Sequence, residues 1–167
     1  RESGDTQARR AVAGGGVDGA VVDGRVRNAF CATRPCGHHA EADRAMGFCV
    51  FNQAAIAALH ARVVHGLQRV AVVDFDVHHG NGTQNSLHDD PDLFYGSSHQ
   101  SPFYPGTGAR AEAGRAGNIV NIPLARGCNS ATFRRHMRDE MLPALRRFAP
   151  ELLIVSAGFD AHELDPL

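Results

Sequence analysis

Short apolar runs alternate along this chain with longer segments of helical period. Residues 70–73 (VAVV) are apolar without interruption, the mark of a strand covered on both faces. Residues 93–98 (LFYGSS), 118–122 (NIVNI) and 151–156 (ELLIVS) share that short, β-favouring character and predict three more strands. Residues 28–33 (NAFCAT) predict a fifth, just ahead of the turn RPCGHH. Helical patterns lie between. An Ala-rich segment starts at residues 45–51 and runs to Gly66, its natural stop. Ile56, Leu59, Val63 and Val64 recur there at helical spacing as an apolar face. Residues 82–87 predict a short helix. Residues 131–148 predict a longer one, capped by Ser130 and kinked or split by Pro143. Gln7 to Asp23 suits a helix weakened by Gly14-Gly15-Gly16. Strands alternating with helices predict an α/β fold, a mainly parallel sheet with helices on both faces. Neither a repeat nor a linker interrupts the chain, so residues 1–167 are expected to form one domain.

Composition changes this picture only by exclusion. Net charge is −1 and every cation is Arg, which argues against nucleic-acid binding by charge. No apolar run approaches the roughly 20 residues that span a membrane. The four cysteines, at 31, 36, 49 and 128, form no CxxC pair and predict a reduced, cytoplasmic setting. The glycines at 14–16 and 19 match GxGxxG by letter, but no strand precedes them, so no dinucleotide site is expected. Oligomeric state is left open.

The chemistry gathers where strands end. Asp74, Asp76 and His78 fall at every second position, and an extended backbone would aim all three at one spot. His38 and His39 sit in a Gly-led turn, and Asp160 follows the last strand. An Asp, His and Asp set suits a catalytic zinc, which takes three protein ligands and keeps a position for water. Zinc lowers the pKa of that water to about 7. The His pair would then transfer protons, and each ring needs a partner on its other nitrogen. Asp74, deeper in its strand than Asp76, suits one of them and Asn81 the other.

Five motifs in order, RPCGHHAE at 34–41, GFCVFN at 47–52, VVDFDVHHGNGTQ at 72–84, SSHQSPFYPGTG at 97–108 and SAGFDAHELDPL at 156–167, resemble the histone deacetylase family. The resemblance covers residues 28–167. It is narrowest to the bacterial, class II-like branch, which holds acetylpolyamine amidohydrolases and acetoin-utilisation proteins. It implies an arginase/deacetylase-type three-layer α/β/α fold, here truncated at both ends. It also implies hydrolysis of an acetylated amine, in protein lysine or a polyamine, with release of acetate. By that match Asp76, His78 and Asp160 hold one zinc ion per chain. His38 and His39 are the catalytic pair, His39 as general base and acid, with Asp74 holding His38. Asn81 stands where class I members carry a second carboxylate. The Gly47 carbonyl contacts the substrate amide, and Phe48 and Tyr104 line an acyl-lysine tunnel. Asp74, Asp76, His78, Ser97 and Ser98 resemble a structural potassium site.

Two departures stand out. Cys36 replaces the Pro usual in RPPGHH. The family's oxyanion-stabilising Tyr comes from a glycine-rich loop well after FDAH, whereas Tyr95 and Tyr104 lie in other motifs, so the chain by itself is expected to be incomplete. The competing readings are an arginase-like binuclear manganese hydrolase and an acyl-binding fragment without turnover.

Overall fold

The computed structural model describes residues 21–166. The helix and glycine motif expected near the start fall mostly outside them. Four strands, β1 (Val70–Asp74), β2 (Leu93–Gln100), β3 (Ile119–Leu124) and β4 (Leu152–Ser156), form one sheet in the order β3-β2-β1-β4. Every pairing is parallel. All five residues of β1 are buried, because it is central and covered on both faces. Val70 and Val72 pack with Leu93, Tyr95 and the alanines of helix α1 (Gln53–His65). Ala71 and Val73 point the other way, onto Phe94, Ile122, Met141 and Ala144. Each fully buried Val, Leu or Ile contributes about 1.5–3 kcal/mol. Helices α1 and α2 (Asn81–Leu87) cover one face. On the other lie α3 (Ser130–His136), a π-helical turn (Met137–Met141) and α4 (Leu142–Phe148), completing three α/β/α layers.

Several expectations are corrected. Helix α1 begins at Gln53, not near residue 45; residues 45–51 form a turn in which Met46 and Cys49 exchange backbone hydrogen bonds. The buried face of α1 is Ala54, Ala55, Ala57, Ala58 and Ala61, while Leu59, Val63 and Val64 face outward, Val63 at 82% exposure. The alanines at 54, 58 and 61 pack on the sheet with Val70, Val72, Leu93 and Tyr95. Residues 28–33 form no strand and leave Phe30 85% exposed. A strand needs a neighbour for its N–H and C=O groups, and the sheet of the described residues, β3-β2-β1-β4, does not include this segment. Asn129, not Ser130, caps α3, its side chain accepting from the Thr132 amide at 3.0 Å. The break expected at Pro143 takes the form of the π turn, after which Pro sits in the first turn of α4, where its missing N–H is tolerated. Pro123 lies inside β3 rather than after it, which an edge strand allows.

The topology selects a location for chemistry. The chain steps from β1 to β2 to β3 in one direction, then returns so that β4 lands on the other side of β1. The switch point therefore lies between β1 and β4, and ligands of open α/β sheets bind outside the carboxyl ends of strands there. Asp74 is in register with Ser156, so β1 and β4 run out at the same level, and its partner Ser97 on β2 brings that longer strand past the same point.

Candidate metal centre and histidine pair

Beyond Asp74 the backbone leaves the extended form, so the expected every-second-residue convergence does not arise from strand geometry. Two side-chain-to-backbone turns replace it: the Asp76 amide donates to Asp74 Oδ1 at 3.2 Å and the His78 amide to Asp76 Oδ1 at 2.9 Å. Asp74 engages His38 through its other carboxylate oxygen, Oδ2, 2.9 Å from His38 Nδ1. Asp160, at the exit of β4, accepts from the Val77 amide at 3.0 Å, which ties the two exits together. His78 Nδ1 ends 3.0 Å from Asp76 Oδ1 and 3.1 Å from Asp160 Oδ2.

These three ligand atoms lie within 4.8 Å of one another. Two carboxylates and one imidazole nitrogen converging on a point form a donor set suited to zinc. The imidazole of His78 lies within hydrogen-bond reach of both carboxylates. Hydrogen bonds to Asp160 and then Asp76 raise His78 to about 9. Burial pushes the Asp160 carboxyl up, but His78, the Val77 amide and Asp76 outweigh it and hold the group at about 2. Gly158 borders the cluster so closely that an added Cβ would fall 2.2 Å from Asp76 Oδ2.

The His pair is placed by helix ends. The Gly82 and Thr83 amides in the first turn of α2 donate to the His38 carbonyl at 3.0 and 3.1 Å. Asn52, the α1 cap, donates to the Ala40 carbonyl at 3.2 Å and to Thr83 Oγ1 at 3.0 Å. His38, 1% exposed, has its Nδ1 2.9 Å from Asp74 Oδ2. Its Nε2 is buried without a hydrogen-bond partner and lies 3.8 Å from Asp76 Oδ1, a polar atom facing the metal cluster. Burial lowers the His38 pKa, but the Asp74 carboxylate outweighs it and the net shift is upward. His39 Nδ1 donates to Asn81 Oδ1 at 2.9 Å, which leaves Nε2 as the basic nitrogen. Burial, then the charge of His38, push His39 below its ordinary value. Gly47 adopts φ +56, and a Cβ there would fall 2.2 Å from His39 Cδ2. Its carbonyl is 3.2 Å from Cys49 Sγ.

The other expected residues fall as follows. Phe48 has φ 61 and is 98% exposed. The Tyr104 ring stands edge-on 5.1 Å from His39. Ser97 Oγ lies 2.9 Å from His99 Nδ1, and Ser98 Oγ is buried without a partner. His79, the second ring of its pair, does not join the cluster; it bridges Thr107 Oγ1 at 2.8 Å and Gln84 Oε1 at 3.0 Å.

Three further residues belong to the site and were not foreseen. The Tyr95 hydroxyl donates to Asp74 Oδ2 at 3.2 Å, beneath His38. Glu41 accepts from Asn81 Nδ2 at 2.8 Å and from Arg44 at 2.9 Å, fixing the carboxamide that orients His39. The Phe103 ring stacks on His78 at 4.9 Å. Only the β1–β2 register reveals Tyr95. The i to i+3 spacing of Glu41 and Arg44 hints at their ion pair, but not at the link to Asn81.

The chain is similar to known proteins over nearly its whole length. The histone deacetylase domain matches residues 2–167. Histone deacetylase 14, chloroplastic, of Arabidopsis thaliana is 48% identical over 141 residues, 83% of this chain and 33% of that protein. A histone deacetylase-like amidohydrolase of Pseudomonas aeruginosa is 44% identical over 153 residues, 89% of this chain and 40% of its own length. The solved acetylpolyamine aminohydrolase of Burkholderia pseudomallei superposes with a TM-score of 0.88 at 41% identity, covering 95% of this chain and 46% of that one. The chain thus spans less than half the length of these relatives and shares their arginase/deacetylase fold. With strand exits, switch point and domain match in agreement, it belongs to the histone deacetylase family.

Proposed function

We propose that the full-length protein hydrolyses an acetylated amine, either acetyl-lysine in protein or an acetylpolyamine, using one zinc ion held by Asp76, His78 and Asp160. One observation carries this reading: three ligand atoms within 4.8 Å of one another, beside a His pair whose outer nitrogens are already engaged by Asp74 and Asn81. Deacetylase membership supports hydrolysis of an acetyl amide, and the names of the Pseudomonas and Burkholderia proteins support an amide substrate class wider than histones.

When bound there, zinc supplies Lewis-acid polarisation of the acetyl carbonyl and acidifies a water. The protein's own groups then divide the work. His39, kept neutral near pH 7 by burial and by its neighbour His38, accepts the water's proton at Nε2. Asn81 holds its tautomer throughout. His38, backed by Asp74, presents an Nε2 with raised proton affinity and stabilises developing negative charge. His39 returns the proton to the leaving amine, and acetate departs. Phe48 and Tyr104 offer apolar walls for the methylenes of an acyl-lysine. The Gly47 carbonyl is the acceptor for the substrate amide N–H. The backbone of Asp74, Asp76 and His78, with Ser97 and Ser98, is proposed to hold a potassium ion beneath the site, where the buried Ser98 hydroxyl has no partner. A cytoplasmic setting belongs to this proposal. No described helix is long and apolar enough to cross a membrane.

The test is acetate release from acetyl-lysine peptides and acetylpolyamines by the zinc-loaded full-length protein, with metal content measured on the same sample. One zinc per chain with hydrolysis is expected. Two manganese ions per chain would establish the binuclear alternative, and tight acyl binding without turnover the non-enzymatic one.

A further inference from the structure

Cys36 and Cys49 have no part in the chemistry above, yet they stand against it. Their sulfurs lie 3.6 Å apart. Cys49 is 1% exposed and pinned by backbone hydrogen bonds with Met46, while Cys36 is exposed beside Pro35. The Gly37 amide, adjacent to His38, donates to Cys49 Sγ at 3.2 Å. The two cysteines are 13 positions apart in sequence, and the stretch between them contains His38, His39, Gly47 and Phe48. We propose that Cys36 and Cys49 form a site of reversible oxidation, where a hydroperoxide converts the two thiols to a disulfide and turnover falls until a dithiol reduces it.

A disulfide bond is about 2.05 Å long, so the sulfurs must approach by roughly 1.5 Å. Cys49 is held, so most of that movement falls on Cys36 and on the Gly37-His38 backbone that follows it. The Gly37 N–H also loses its thiol acceptor. Displacements of this size at catalytic groups cost on the order of 10² in rate.

The chemistry balances with the peroxide as sole oxidant. The exposed Cys36 sulfur attacks one peroxide oxygen, the O–O bond breaks, and the Cys36 proton passes to the Cys49 sulfur beside it. The released hydroxide takes up a proton from solvent as water, leaving Cys36 as a sulfenic acid and Cys49 as a thiol. Cys49 then attacks the Cys36 sulfur. The S–S bond forms, the S–O bond breaks, and the departing hydroxide leaves with the Cys49 proton as a second water. With Cys49 starting as the thiolate, one solvent proton is consumed on oxidation, and it is released again when reduction restores Cys36 as the thiol and Cys49 as the thiolate. Together the sulfurs lose two electrons and the peroxide gains two. Cys49 is suited to receive the first proton, because its hydrogen bond with Cys36 and the backbone amide of Gly37 hold negative charge on its sulfur.

The test treats the zinc-loaded full-length protein with hydrogen peroxide, followed by a non-reducing tryptic digest. The expected product links peptide 28–44 to peptide 45–62 with loss of two hydrogens, fragmentation placing the bond at Cys36. Deacetylation should fall at least fivefold and recover with dithiothreitol. Cys36→Pro should retain basal turnover and lose both the link and the inhibition, and Cys49→Ala should lose the link equally. No Cys36–Cys49 link at peroxide levels that oxidise a control dithiol would overturn the proposal, as would a link through Cys31 instead. A link with unchanged turnover would overturn its coupling to the site. The activity effect rests on the proposed deacetylation; the mass-spectrometric link does not, so a protein that links but never hydrolyses sinks only the functional reading.

Discussion

Gly158→Ala separates metal binding from every ligand side chain, since it removes none of them. An alanine Cβ would fall 2.2 Å from Asp76 Oδ2, 2.5 Å from Cγ and 2.6 Å from Cβ. Ordinary carbon contacts need about 3.5 Å or more, so Asp76 or the β4 exit must yield by over an ångström. Gly158 carries no positive φ, so the backbone itself tolerates alanine and the clash is the whole perturbation. Protein metal sites tolerate deviations of only about 0.2 Å in ligand distance. Changes to groups that merely support ligands already cost about 10–100-fold in affinity. Displacing a ligand by more than this should weaken zinc binding at least 100-fold. The assay is competition with a chromophoric chelator in the full-length protein, with circular dichroism as the control for folding. A variant folded like the parent that binds zinc equally well would refute the assignment of Asp76 and of this location.

Gly47→Ala is the complementary change: its Cβ would meet the His39 ring, so turnover should fall about 10²-fold while zinc content stays unchanged. Lost zinc in that variant would contradict the division between metal and His pair. Tyr95→Phe removes a buried hydroxyl donor from Asp74 and should cost about 1 kcal/mol in a urea unfolding curve, with zinc content unchanged; an unshifted midpoint would show the contact to be idle. Stability should also depend on pH through His79. Burial first, then the charge of His99, hold His79 at about 4 in the folded chain, below the ordinary 6.5. Between those values the unfolded chain binds a proton that the native one refuses. The contribution is therefore complete above about pH 6.5 and is lost as pH falls from there through 4, by at most about 3 kcal/mol. Melting curves at pH 7 and pH 4.5 for the parent and His79→Gln check this. An equally steep acid loss in the variant would remove His79 as the cause.

What the sequence disclosed and what it hid follow physical lines. A buried central strand must be apolar at every position, so residues 70–73 were legible as β1. Groups at strand exits are displayed by local sequence, so Asp76, His78 and Asp160 could be singled out. The alanine face of α1 was not legible, because hydrophobic scales rank Val63 and Leu59 above Ala58. Residues 28–33 have strand propensity, but propensity supplies no neighbour. Tyr95 and Glu41 were hidden for the same reason as each other. Their roles come from contacts 21 residues from Asp74 and 40 from Asn81, which only the folded register creates. The course of the chain from Asp74 to His78 depended on two side-chain-to-amide turns that no strand pattern contains.

The central claim is that Asp76, His78 and Asp160 hold the metal while His39, oriented by Asn81, moves the proton. The most direct measurement compares zinc-loaded full-length protein with its His39→Ala variant, scoring acetate release and bound metal on the same samples. The expected result is loss of turnover with one zinc per chain retained. Loss of the metal would make His39 a ligand, and turnover equal to the parent would remove it from the chemistry; either would contradict the account.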